Sequence, residues 1–153
     1  MQKGLAALRF NFRGVGKSGG KYAEGVGERD DVEAAVSFME KREEIDPGRI
    51  GLCGYSFGSM AAFPAAVEDS RVKAVAGISP FVQPPGLLNN YTGPKLFLTG
   101  DRDEYVDHEK LSALVDVMPP PKQIEIVPGV DHFWWGAEDR IAEITSGFFS
   151  RTV

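Results

Sequence analysis

Apolar positions along the chain switch between two spacings. Val32, Ala35, Val36 and Met39 fall at i, i+3, i+4 and i+7, one face of a helix over residues 29–42 with charges opposite. Leu111, Leu114, Val115 and Met118 repeat that face until Pro119-Pro120-Pro121 stops it, and Ile141, Ile144 and Phe148 mark a closing helix. Small residues over 57–67 predict a further helix, which Pro64 should kink or shorten. Between these lie short apolar runs: residues 5–12 (LAALRFNF), 49–54 (RIGLCG), 72–78 (VKAVAGI), 95–100 (KLFLTG) and 123–127 (QIEIV). Each reads as a strand. Residues 13–27 hold six glycines and cannot form a stable helix, and residues 79–93 form a Pro- and Asn-rich connection with one turn of helix near Gly86-Leu87-Leu88. Strands alternating with helices predict an α/β fold with about five mostly parallel strands flanked by helices.

Composition narrows the function classes. The 153 residues suit a single domain, 1–153, with no repeat and no long linker. Seventeen basic against twenty-two acidic side chains give a net charge of −5, which argues against a nucleic-acid partner. One cysteine excludes an internal disulfide framework, and two distant histidines leave little for a metal site, so no metal and no cofactor are expected. No apolar stretch reaches the roughly 20 residues that span a bilayer, and the opening run is broken too soon for a signal peptide. No membrane partner and a cytoplasmic location are the expectations.

Two phosphate-binding patterns fail in context. Gly14-Val15-Gly16-Lys17-Ser18-Gly19 matches G-x-G-x-x-G, but a dinucleotide site needs a helix to open there, and the next helix begins only near Arg29. Gly16-Lys17-Ser18 resembles the end of a P-loop, yet position 11, where its first glycine would stand, is Asn11.

Gly54-Tyr55-Ser56-Phe57-Gly58 is the stronger signal. G-x-S-x-G alone arises by chance as a turn with a solvated serine, but here a buried strand enters it and a small-residue helix leaves it, as a nucleophile elbow requires. A serine hydroxyl needs a base to attack at neutral pH. His132 is the histidine just beyond a strand's C-terminal end, so it is the candidate base, while His108 reads as a surface residue. An acid should lie between serine and histidine in the chain, and 95–100 runs directly into Asp101-Arg102-Asp103-Glu104-Tyr105-Val106-Asp107. Cys53, inside its strand, reads as a buried core thiol.

With these motifs in order, the chain resembles the α/β-hydrolase superfamily, in particular the small, cap-free bacterial esterases related to dienelactone hydrolases. Arg13-Gly14-Val15-Gly16-Lys17-Ser18 is similar to that family's R-G-x-G-x-S segment, Gly54 to Gly58 to its elbow, Gly100-Asp101-Arg102-Asp103-Glu104-Tyr105-Val106 to its acid turn, and Gly129-Val130-Asp131-His132 to its histidine loop. The resemblance implies Asp103 as the acid, with Asp101 as a loop cap and Asp107 as the outside alternative. It implies Ser56, Asp103 and His132 as catalytic residues, the Phe57 N–H as an oxyanion donor, and Tyr55, Phe81 and Trp134 as substrate-binding residues. Packing is an equal alternative for Trp134. Only about a dozen residues around Phe81 to Tyr91 stand where the family often inserts a helical cap, so an open site is expected.

The family also has strands and a helix before the segment matched by residues 5–12. At ~30 residues per βαβ unit, on the order of 60 residues have no counterpart, and with them goes the loop that supplies the second oxyanion donor. A fragment, a start set at an internal Met and a minimal enzyme with a substitute donor all remain open. The expected function is a serine hydrolase cleaving small acyl esters through an acyl-enzyme; the alternative is a catalytically impaired fragment serving as an interaction or oligomerisation module. Residues 5–12 make a poor solvent-exposed edge strand, which predicts a homodimer or higher homo-oligomer joined near it.

Overall fold

The computed structural model describes residues 4–153. The elements are α1 (Gly27–Glu40), β1 (Ile50–Tyr55), α2 (Phe57–Glu68), β2 (Val72–Ile78), a single 3-10 turn (Leu87–Asn90), β3 (Lys95–Gly100), α3 (His108–Asp116), β4 (Lys122–Val127) and α4 (Glu138–Thr152). Four strands pair in the order β1-β2-β3-β4, all parallel. Continuous burial along β3 and nearly all of β2 reflects a parallel sheet covered on both faces at its centre.

One face carries α1, α2 and α3 over a core that includes Val36, Phe63, Val75, Phe97, Leu111 and Val115. The other face carries α4, whose Phe148, Ile141 and Ile144 pack on Ala74, Ala76, Leu96, Leu98 and Trp134. A Cβ on Gly51 would meet the Phe149 ring at 2.5 Å, so α4 reaches β1 only where that strand has no side chain. Pro64 does not shorten α2, which continues to Glu68. The buried Phe63, Ala65 and Ala66 around it hold that turn against the sheet.

Two expectations are corrected. Residues 5–12 form no strand, so the sheet has four strands rather than five and β1 is its edge. The segment pairs with no strand and is anchored instead by side chains. Phe12 packs near Val32, Ala61, Ala65 and Leu52. Arg13 donates its backbone N–H (2.9 Å) and its guanidinium (2.9–3.2 Å) to Asp31 on α1. Cys53 is exposed rather than a core thiol, because it shares the α4 face of β1 with Gly51 but lies on the uncovered edge strand. Desolvation by its immediate neighbours still pushes its thiol up to about 11, so it stays protonated at neutral pH.

Candidate active site

Parallel strands bring all their C-terminal ends to one edge of the sheet, where loops can gather groups distant in sequence. Backbone bonds extend the ladder past those ends: Ser56 N–H donates to the Ile78 carbonyl (2.9 Å), Ser79 N–H to Leu98 (2.7 Å) and Asp101 N–H to Val127 (3.2 Å). Each loop therefore leaves the sheet from a fixed point.

Ser56 sits between β1 and α2 with φ 49° and ψ −117°, a conformation disfavoured for a residue with a Cβ. That sharp turn is possible because Gly54 lets the helix backbone close over the strand. Ser56 Oγ lies 2.8 Å from His132 Nε2. His132 Nδ1 lies 2.9 and 3.0 Å from the two Asp103 oxygens. The three residues thus form one hydrogen-bonded line, with the Asp103 side chain fully buried and that of His132 nearly so.

Burial alone would raise the Asp103 carboxyl. It is instead held below the ordinary carboxylate range by the nearby Ser79 hydroxyl, by hydrogen bonds from the Val106 and Tyr105 backbone N–H groups and by His132. Asp103 therefore remains an anion facing the imidazole. Its neighbours have other work. Asp101 Oδ1 accepts from the Gly129 N–H at 2.6 Å, tying the acid turn to the histidine loop. Asp107 caps α3, accepting from the Glu109 and Lys110 N–H groups at 3.1 Å.

Phe57 opens α2, so its backbone N–H has no acceptor within the helix and stands beside Ser56. Its ring is held between Phe12 and Tyr22, each 5.7 Å away between centroids. Tyr55 donates its hydroxyl to the His132 carbonyl (2.7 Å), and burial, Asp103 and Asp131 together push that phenol's pKa up. Phe81 is half-buried with its ring 6.3 Å from the imidazole. Trp134 does not wall the open site. It is 1% exposed, packed under α4, with its indole N–H on Ser79 Oγ. Of the two expectations for Trp134, packing is the one its burial fits; the adjacent Trp135 is 81% exposed.

Four neighbours of the site escaped the motif reading. The Tyr105 ring lies tilted 4.7 Å from that of His132 and the Phe133 ring at 5.6 Å, both exposed. Ser59, fully buried, donates to the Ser56 carbonyl (2.7 Å) and accepts from the Phe81 N–H (2.8 Å), joining the elbow to the loop after β2. Ser79 ends β2. Its signal was its position, since like the acid and histidine loops it follows a parallel strand's C-terminal end. Among the described residues no group of three or more His, Cys, Asp and Glu side chains could hold a metal ion, and no helix is long and apolar enough to cross a membrane.

Comparison with known proteins places the chain in a family. Residues 21–146 match the model of the dienelactone hydrolase family. The chain belongs to that family. An uncharacterised protein of Rickettsia prowazekii is 29% identical over 147 residues, which cover 88% of this chain and 60% of that protein. The thiohydrolase apmlB of Arthrinium phaeospermum is 34% identical over 107 residues, covering 68% of this chain and 32% of its own length. Among solved structures, an alpha-beta serine hydrolase homologue from Coxiella burnetii superposes with a TM-score of 0.77 at 32% identity, over 94% of this chain and 66% of that one. This dienelactone hydrolase family chain therefore spans less than two thirds of these relatives' length. Its four parallel strands flanked by helices form an α/β-hydrolase fold without a cap, and XC6422 of Xanthomonas campestris, a serine hydrolase without a lid, matches it with a TM-score of 0.73 at 26% identity, over 94% of this chain and 63% of that one.

Proposed function

We propose that the chain carries the catalytic residues of a serine hydrolase acting on small carboxylic esters. One observation carries this reading: the continuous line from Ser56 Oγ through His132 to the buried Asp103 carboxylate, at 2.8 and 2.9 Å, on a backbone turn held at positive φ. His132 Nε2 takes the Ser56 proton as Oγ attacks the ester carbonyl. Asp103 fixes the tautomer through Nδ1 and stabilises the imidazolium that forms. The Phe57 N–H donates to the developing oxyanion. His132 then returns the proton to the leaving alkoxide, and a water activated by the same imidazole releases the acyl group.

Oxygen esters with good leaving groups are the first substrate class because their cleavage depends least on oxyanion donors beyond the Phe57 N–H; one such donor is typically worth ~10²–10³ in kcat. Thioesters, the class named by the apmlB relative, are the second arm of the test. Purified chain should label with a fluorophosphonate and give an acyl burst with p-nitrophenyl acetate or butyrate, and Ser56→Ala should lose both. Equal activity in Ser56→Ala sinks the reading. A second reading, an impaired hydrolase module serving association, is favoured by the outer flank of β1, which has no strand partner among the described residues; absence of labelling in folded wild-type chain would support it.

A further inference from the structure

Two consecutive residues hold His132 from opposite ends. Ser56 Oγ lies 2.8 Å from its Nε2, and the Tyr55 hydroxyl donates to its backbone carbonyl at 2.7 Å. The direction of the second bond is fixed, because a carbonyl oxygen only accepts. Burial and the Asp103 and Asp131 carboxylates push the Tyr55 phenol above its ordinary pKa, so it keeps the proton it donates. Peptide bond, side chains and two hydrogen bonds thus close a ring through Tyr55, Ser56 and both ends of His132.

The peptide group that follows His132 is gripped on both sides. Tyr55 donates to its carbonyl, and its amide, the Phe133 N–H, donates to Asp131 Oδ1 at 2.9 Å. A peptide group is planar, so holding both of its polar ends fixes the plane from which the His132 side chain sets out. Other ties of the histidine loop act further along it. Gly129 and Val130 are bonded to the acid turn, and Trp134 to Asp131 and Ser79. Among the described residues no other donor meets the His132 carbonyl.

β1 and β4 are opposite edges of the sheet, with β2 and β3 between them. Ser56 follows one edge and His132 the other, so no shared ladder sets their separation. We infer that Tyr55 is a positioning residue: its hydroxyl tethers the His132 backbone to the nucleophile elbow and so sets the approach of Nε2 to Ser56 Oγ. This task needs no contact with substrate, unlike the substrate-binding role that the family resemblance implies for Tyr55. The kinetic consequence rests on the hydrolase reading, whereas the tether itself does not.

The test is Tyr55→Phe, made in the wild-type chain and in Ser56→Ala. It removes the donor and keeps the ring, and because Tyr55 is 43% exposed it opens no buried void. Readouts are kcat and KM on p-nitrophenyl acetate, thermal unfolding, and ring-nitrogen relaxation of His132, which reports how freely the imidazole moves. Tyr55→Phe should lower kcat roughly three- to tenfold, as for loss of one neutral hydrogen bond. KM should be unchanged, and the imidazole should move more freely in both backgrounds.

In a folded Tyr55→Phe, an unmoved kcat or an unmoved imidazole overturns the inference. A rise in KM at constant kcat overturns it too, since Tyr55 would then meet substrate. If Tyr55→Phe does not fold, the wild-type hydroxyl proton decides: slow exchange with water and a through-space contact to the Phe133 N–H uphold the tether, and fast exchange refutes it. If wild type shows no Ser56-dependent hydrolysis or labelling, the hydrolase reading has failed separately. Ring relaxation in the Ser56→Ala background then judges the tether alone, upholding it if Tyr55→Phe frees the imidazole and refuting it if not.

Discussion

Gly54 lies directly beneath Ser59: a Cβ at Gly54 would stand 2.6 Å from the Ser59 backbone nitrogen and Cα and from the Gly58 carbonyl oxygen. The partners are backbone atoms of the first turn of α2, which cannot swing aside as a long side chain can. The second glycine of G-x-S-x-G differs. A Cβ on Gly58 meets nothing within 4 Å. Gly54→Ala should therefore destabilise by about 1–3 kcal/mol or more and move Ser56 away from His132. Gly58→Ala, inside a helix, should be neutral or stabilise by up to about 1 kcal/mol and keep Ser56-dependent labelling. Urea unfolding midpoints and labelling rates on the two variants check the contrast; equal losses at both sites would contradict it.

The acid turn offers three aspartates, and only Asp103 faces the imidazole. Asp103→Asn keeps the shape but presents an amide where His132 needs an acceptor. By analogy with other Ser-His-Asp hydrolases kcat should fall about 10⁴-fold with little change in KM. Asp101→Asn should weaken the tether to Gly129, and Asp107→Ala should remove the α3 cap, so both should lower stability while leaving kcat within a few fold. Steady-state kinetics beside thermal unfolding separates these outcomes. A kcat loss at Asp107 as deep as at Asp103 would reassign the acid.

Acid sensitivity follows from the paired carboxylates. The Arg13 guanidinium holds Asp31 below the ordinary range and Arg71 does the same for Asp69, each against the opposing effect of burial. Asp103 is lowered despite burial by the polar groups around it, the Tyr105 and Val106 N–H groups and His132 among them. A folded pKa depressed below the unfolded value contributes stability that is fully present above the unfolded value. That contribution is lost as pH falls through the folded one. With unfolded carboxyls near 4, urea midpoints should be flat from neutral pH to about 5 and fall steeply below about 4. Arg71→Ala should flatten that acid slope, since Asp69 then titrates nearer its unfolded value. A steep loss between pH 7 and 5 would contradict this assignment.

Much of the site was legible because its residues follow strand ends whose apolar runs are unambiguous. VKAVAGI and KLFLTG became β2 and β3 with the predicted bounds, and Ser56, Asp103 and His132 follow the C-terminal ends of β1, β3 and β4. LAALRFNF misled because an apolar run reports burial propensity, not the presence of a neighbour to complete its hydrogen bonds. Cys53 misled for the same reason: alternation places it on a face, but only the packing shows that α4 stops short. Ser59 and Ser79 carry no motif of their own, and what they do depends on Phe81 and Trp134, which lie 22 and 55 positions away.

The open flank of β1 yields the last prediction. Only β2 pairs with β1, so its outer row of N–H and C=O groups has no strand partner among the described residues. Leu8, Phe10 and Val26, on or near the segment beside it, are exposed apolar side chains. Native sheets blunt such edges with charge, bulges or cover, and β1 (IGLCGY) has no charged residue. Two chains pairing edge to edge would satisfy the row, and a two-fold dimer is the commonest closed solution. The purified chain should therefore self-associate at micromolar concentration, with a sedimentation coefficient that falls on dilution. Cys53→Lys, which places a charge on the exposed edge strand, should shift it toward monomer while leaving Ser56 and His132 in register. A wild-type chain that sediments as a monomer over the whole range, with unfolding midpoints independent of concentration, would refute association through this edge.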